Sequence, residues 1–247
     1  MCMGTQEATV RANSIRAVIF DYGNTLVEFG ESQIRSCDAA LASALESLYG
    51  HVDCDRLRAI RDRDRLAPYA GDLREQNIEA ITANLVKELY GAVPSREELD
   101  LLLRARFEAF VSAIVAPDYL DDFLSELHRR YRLALLSNYP DGRAIRATLE
   151  NLRLTRHFDA VVVSGDVGYV KPHPAPFRVT LERLRTEPAE TLHVGDNWFG
   201  DVQGAKRAGL RAAHTVQWDT PEKFQPQPGD APADITIEHV TELLEFL

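Results

Sequence analysis

Polar residues able to handle a phosphoryl group stand where apolar runs of this sequence stop. Asp21 follows RAVIF, Ser137 and Asn138 follow LALL, and Asp196 follows TLHVG; Lys171 lies in VKPHP, soon after AVVVS. Two carboxylates brought close together in a dry site cannot both stay ionised without a cation. Mg²⁺ suits such a pair, being a hard ion that takes oxygen ligands and completes its octahedron with water or substrate phosphate. Asp201, five residues beyond Asp196 in GDNWFGD, would hold the metal directly or through water, or else simply cap the next helix. Lys171 would supply positive charge, and Ser137 and Asn138 neutral donors, so that a phosphate is compensated on several sides. An ionised Asp in reach of phosphorus would attack it and form an aspartyl phosphate, which water then releases.

Taken singly, each residue has a plainer reading: Ser137 and Asn138 as helix caps, Lys171 as a surface lysine in a turn, Asp21 as a loop carboxylate. The functional reading needs elements that bring them together, and the sequence supplies these. Val18–Phe20, Leu133–Leu136, Ala160–Val163, Thr191–Val194, Arg211–Val216 and Asp234–Ile237 read as short buried strands. Helices are expected between them near 118–130, 141–151, 174–185 and 200–208, with a last helix running to Leu247. Strands alternating with helices imply an α/β core, a parallel sheet with helices on both faces. Ligands of such sheets sit at the carboxyl ends of the strands, where all of these polar residues fall.

Between the first strand and Pro117 the pattern is helical. Ile34, Cys37, Leu41, Leu45 and Leu48 recur at one face, as do Ile78, Ile81, Leu85 and Leu89, and then Leu99, Leu102, Leu103, Phe107 and Phe110. Gly50, Gly71, Gly91 and Pro94 separate the pieces. The expected organisation is a Rossmann-like core over 15–27 and 116–247, an inserted all-helical cap over 28–115, and a flexible tail over 1–14.

Composition narrows the function class. The chain has 247 residues, 45% of them hydrophobic, with Lys+Arg 28 against Asp+Glu 38 and a net charge of −10. So acidic a chain repels phosphate backbones at long range, which speaks against nucleic acid as partner. No apolar run approaches the roughly 20 residues of a membrane helix. Cys2, Cys37 and Cys54 form no metal-binding spacing, and their sparse, odd number fits a reducing compartment. The expected setting is cytoplasmic and the expected partner a small phosphorylated metabolite; the oligomeric state is not legible.

In order and spacing, FDYGNT, LLSNYP, GDVGYVKPHPAPF and HVGDNWFGDVQGAKRAG resemble the four motifs of the haloacid dehalogenase-like hydrolase superfamily. The resemblance implies a Rossmann-like core with a helical cap of the first-insertion type. It further implies Mg²⁺ and a covalent intermediate on Asp21, with Lys171 as the catalytic cation and Ser137 as the phosphate-contacting hydroxyl. Asp21, the backbone carbonyl of Gly23, Asp196 and Asp201 would then form the metal side. The chain departs from the family's phosphatases at Gly23, where they carry an Asp that protonates the leaving group and later activates water. General acid–base help of that kind is worth about 10²–10⁴-fold. The expected function is a phosphomonoesterase lacking that group. The alternatives are a non-catalytic binding protein, or an enzyme of altered chemistry such as phosphoryl transfer or phosphonate cleavage.

Other residues have two readings each. Arg58, Arg61 and Arg65 share a helix face and would either clamp an anion or pair with neighbouring acids. His173 would carry a proton or serve a turn. His193, inside a strand, reads as a core histidine, and Trp198 and Phe199 as packing residues. Glu28 and Glu31 are the acids closest in sequence that would stand in at position 23.

Overall fold

The computed structural model describes residues 15–218 and 224–247. The tail expected over 1–14, with Cys2, lies outside the described residues, as do residues 219–223. Along the chain, β1 (Ala17–Phe20) leads into four helices: α1 (Glu31–Tyr49), α2 (Cys54–Ala70), α3 (Ile78–Tyr90) and α4 (Arg96–Ala113). Then follow α5 (Leu120–His128), β2 (Arg132–Ser137), α6 (Gly142–Asn151), β3 (Ala160–Val163), α7 (Ser164–Val167), α8 (Pro174–Leu184) and β4 (Thr191–Gly195). The chain closes with α9 (Gly204–Arg207), β5 (Arg211–Thr215), β6 (Ile235–Ile237) and α10 (Leu243–Phe246).

The strands form one sheet in the order β3-β2-β1-β4-β5-β6, and every pairing is parallel. Side chains alternate across it as the pleat requires. Val18, Phe20, Leu133, Leu135 and Val194 enter one core with α5 and α6 residues, while Ala17, Ile19, Ala134 and Leu136 enter another with Phe177, Leu181 and Val202. With both faces covered, β1, β3 and the interior of β2 are apolar throughout, which is why they read as unbroken runs. The α/β Rossmann-like architecture is therefore the one expected.

The four inserted helices carry a separate core of Leu41, Leu45, Val52, Leu57, Ile60, Leu85, Val86 and Leu102. Their starts follow local capping chemistry. The Asp53 carboxylate accepts from Arg56 N–H, Asn77 Oδ1 from the Glu79 and Ala80 N–H groups, and Ser95 and Glu98 form a capping box. Gly91, at φ 68°, ends α3 in the left-handed region.

Two expected helices differ. That near 200–208 begins as a π-helical turn, Trp198–Gln203, and becomes α-helical only in α9. Asn197 Oδ1 accepts from Gly200 N–H at 2.8 Å while Asn197 N–H donates to the Asp201 carboxylate at 3.1 Å. The widened turn aims Asp201 back at β4, a use of π geometry that hydrophobic periodicity does not signal. The last helix is shortened to a 3₁₀ turn at Val240–Glu242 and the four residues of α10, with Val240 and Leu243 both in the core.

Candidate active site

β1 lies between β2 and β4, so the chain leaves β1 to one side and later crosses to the other. That reversal is the switch point of an open parallel sheet, where strand ends splay and leave a crevice. Asp21 stands at the end of β1 and its N–H donates to Val194 O of β4 at 2.9 Å. Asp196 follows the end of β4. The loop after Asp21 is tightly wound: Leu26 and Val27 N–H both return to Tyr22 O, and Asn24 sits at φ 57°.

Lys171 ties the crevice together. Although 2% exposed, its Nζ donates to Asp21 Oδ1 and Leu136 O at 2.6 and 2.8 Å and lies 2.6 Å from Asp201 Oδ1. One ligand oxygen from each of Asp21, Asp196 and Asp201 lies within 4.8 Å of the others. Asp201 can come so close only because residue 195 is glycine: a Cβ there would meet its carboxylate at 2.3 Å.

The two carboxylates on Lys171 are not equivalent. Burial works against ionising both. Asp201 overcomes it, because Lys171 and the His193 Nε2 at 2.9 Å hold its pKa down to about 2. At Asp21 burial outweighs the ammonium and the pKa rises to about 6. Lys171 itself is held above its ordinary value by Asp201 and Asp21 in spite of its burial. Asp201 is thus the settled partner of the lysine, and Asp21 the carboxylate that still lacks charge compensation.

Asp21, Lys171, Asp196 and Asp201 line one cavity of about 360 Å³, together with Gly23, Ser137, Asn138 and residues of the inserted helices. The Ser137 hydroxyl makes no hydrogen bond among the described residues and is open to the cavity. Asn138 lines it too, but its amide is engaged. Nδ2 donates to Lys171 O at 3.0 Å and Tyr69 Oη at 3.1 Å, and Oδ1 accepts from Lys171 N–H at 2.8 Å. That clamp fixes the backbone carrying the ammonium.

A family model of haloacid dehalogenase-like hydrolases matches residues 15–209. The chain belongs to the haloacid dehalogenase-like hydrolases. It is 33% identical over 207 residues to a phosphoserine phosphatase of Thermus thermophilus, covering 82% of this chain and 76% of that one. It is 27% identical over 224 residues to the human N-acylneuraminate-9-phosphatase, covering 87% and 88%. A 2-haloacid dehalogenase of Pseudomonas syringae superposes with a TM-score of 0.72 at 23% identity, over 94% of this chain and 97% of that one, a likeness of fold.

Some site residues of this hydrolase carried no sequence signal. Tyr69, at the end of α2, reaches Asn138, and burial pushes its phenol up to about 12. Glu75 lines the cavity as a half-buried acid whose pKa is raised by desolvation; it accepts from Ser164 Oγ, and its N–H donates to Gly168 O at 3.0 Å. Arg106, on α4, also opens to the cavity. Each acts through long-range contact rather than motif spacing. Of the arginine face on α2, Arg61 and Arg65 line the cavity, whereas Arg58 pairs with Asp55 at 2.9 Å. His173 caps α8 and stacks on Tyr169 at 3.9 Å between ring centroids. Glu28 is exposed, and Glu31 pairs with Arg35; neither lines the cavity.

Among the described residues no helix is long and apolar enough to cross a membrane.

Proposed function

We propose that this hydrolase is a Mg²⁺-dependent phosphomonoesterase for a small phosphorylated metabolite, working through an aspartyl phosphate on Asp21. The observation that carries the reading is the buried Lys171 ammonium within 2.6 Å of both Asp21 and Asp201, beside Asp196, in a cavity that the inserted helices also line. The phosphatase names of the relatives above support the class of bond broken.

The donor set fits a divalent cation. Asp21, Asp196 and Asp201, all buried, each bring a carboxylate oxygen within 4.8 Å of the others, the kind of oxygen cluster that suits a hard divalent ion. Asp21, Asp196 and the Gly23 carbonyl would hold Mg²⁺, with Asp201 in support, since its oxygens already serve Lys171, His193 and the Asn197 N–H. When bound, Mg²⁺ offsets the charge on the phosphoryl oxygens and on Asp21.

The remaining work belongs to the chain. Lys171 and the Ser137 hydroxyl receive phosphoryl oxygens, and Asn138 holds Lys171 in place. Asp21 Oδ attacks phosphorus in line with the ester oxygen, and the alcohol leaves towards the inserted helices, the cap of this reading over 28–115. Water then cleaves the acyl phosphate. No side chain at position 23 protonates the alcohol, so the first step favours leaving groups that need little help.

The test is hydrolysis of p-nitrophenyl phosphate with Mg²⁺, reversed by chelator and restored by fresh metal, with hydroxylamine trapping the acyl phosphate. Turnover supports the enzyme; no turnover there or on a panel of metabolite phosphates leaves the binding-protein reading. Replacing Gly23 with Asp gives a sharper result. Gly23 is not in the left-handed region, and an added Cβ would meet Phe29 alone, at 3.3 Å from its Cβ and 4.0 Å from its Cγ, so a small shift of Phe29 admits it. Hydrolysis of alkyl phosphates is expected to rise, by up to about 10²-fold, with a smaller gain on the aryl ester. Equal gains on both esters, or none, would show that proton donation is not what limits the wild-type enzyme.

A further inference from the structure

We infer that the cavity selects phosphate monoesters whose alcohol part carries a carboxylate, bound by Arg106; this deepens the phosphomonoesterase reading and rests on it. Among the described residues three arginines line the cavity, Arg61, Arg65 and Arg106. Arg61 is bonded to Asp38, and Arg65 has Asp62 within 4.0 Å. Arg106, half-buried on α4, makes no hydrogen bond or ion pair among the described residues. The acids whose fields reach it are engaged elsewhere, Asp38 with Arg61 and Asp64 with Arg63.

Its other neighbours offer no counter-charge. The Tyr139 phenol is held well above its usual pKa by burial, and its ring stacks on Phe110 at 4.2 Å. The Cys37 thiol is likewise pushed up by burial. Burial acts on Arg106 in the opposite sense, against its charge, yet a guanidinium does not give up its proton in a protein. A permanent cation has therefore been partly desolvated inside the cavity without a partner, an arrangement that costs stability until an anion arrives.

The chemistry of that anion follows from the surroundings. A carboxylate matches the planar fork of a guanidinium and brings one negative charge for one positive. A second phosphate brings more charge than Arg106 offsets and would feel Asp38 and Asp64 as well. The wall of the same cavity includes Phe29, Ile34, Ile81, Phe110 and Ile114, apolar surface that suits a carbon spacer. One molecule would thus have its phosphoryl group on Lys171 and Ser137 and its carboxylate on Arg106.

Calorimetric titration with inert phosphonates tests this without needing turnover. ω-Phosphonocarboxylic acids of increasing chain length are compared with alkylphosphonic acids of the same lengths, with Mg²⁺ present. At the best-fitting length the carboxylated ligand is expected to bind about 10- to 100-fold tighter to the wild-type protein, the range of a charge-assisted hydrogen bond. Arg106→Met is expected to bring that ratio to near one, and Arg106→Lys to keep part of it, with thermal melting reporting on the fold of both. Equal binding of the two series at every length overturns the proposal, as does a preference that survives Arg106→Met. Hydrolysis of p-nitrophenyl phosphate separates the two readings. Its absence alongside an intact binding preference removes the esterase and keeps the carboxylate subsite, and turnover without the preference does the reverse.

Discussion

Asp21→Asn is expected to lower hydrolysis of every phosphate monoester by at least about 10⁴-fold, the scale on which enzymes lose turnover with their nucleophile. An amide nitrogen or neutral amide oxygen cannot take over the attack on phosphorus, and no other carboxylate in the cluster is free to do so. Asp201 is held by Lys171, His193 and the Asn197 N–H, and its orientation is set by the π-helical turn behind it. The stability of the variant should move the other way. Burial raises the pKa of Asp21 to about 6, so without a metal the fold disfavours the ionised side chain, and a neutral isostere relieves that. A melting temperature equal to or above that of the wild type, measured in chelator, is the expected companion result. Residual activity within tenfold of the wild type would show that phosphorus is attacked by something other than Asp21, such as a water molecule.

The residues of the site differ in how far the sequence announces them, and the reason is geometric. Asp21, Ser137 and Asp196 end or directly follow parallel strands, so the pattern that reveals each strand also locates its terminal residue. Strand order is what the pattern leaves open: it is β1 lying between β2 and β4 that brings Asp21 and Asp196 together at the switch point. Lys171 is harder, since it lies beyond the end of β3, past α7 and the turn at Gly168, and its approach is fixed by long-range contacts such as the Asn138 clamp and the bond from Val170 N–H to Leu73 O. Tyr69, Glu75 and Arg106 are out of reach of pattern reasoning. Helical periodicity marks which face of α2 or α4 is apolar; it does not say which polar residue of the opposite face meets the core. The same limit explains the arginine face of α2, where identical residues one turn apart divide between the cavity and a surface pair with Asp55.

Lys171→Met should be the most destabilising single change at the site, because its charge serves structure as well as chemistry. The ammonium is the cation within 2.6 Å of both Asp21 and Asp201, and all three groups are buried. Removing one partner of a buried ionic cluster leaves uncompensated charge and costs about 3–5 kcal/mol. For a chain of this size that corresponds to a fall in melting temperature of roughly 6–20 °C. Turnover should be lost with it, since the phosphoryl oxygens lose their fixed positive charge. The cause of the instability can be separated from simple loss of packing by a double-mutant cycle. If charge is responsible, adding Asp21→Asn to Lys171→Met removes one of the two stranded carboxylates and should raise the melting temperature back towards the wild type. Mg²⁺ should do the same for the single mutant. If the long side chain matters only for the volume it fills, methionine will already replace it, and neither the second substitution nor the metal will change the melting temperature.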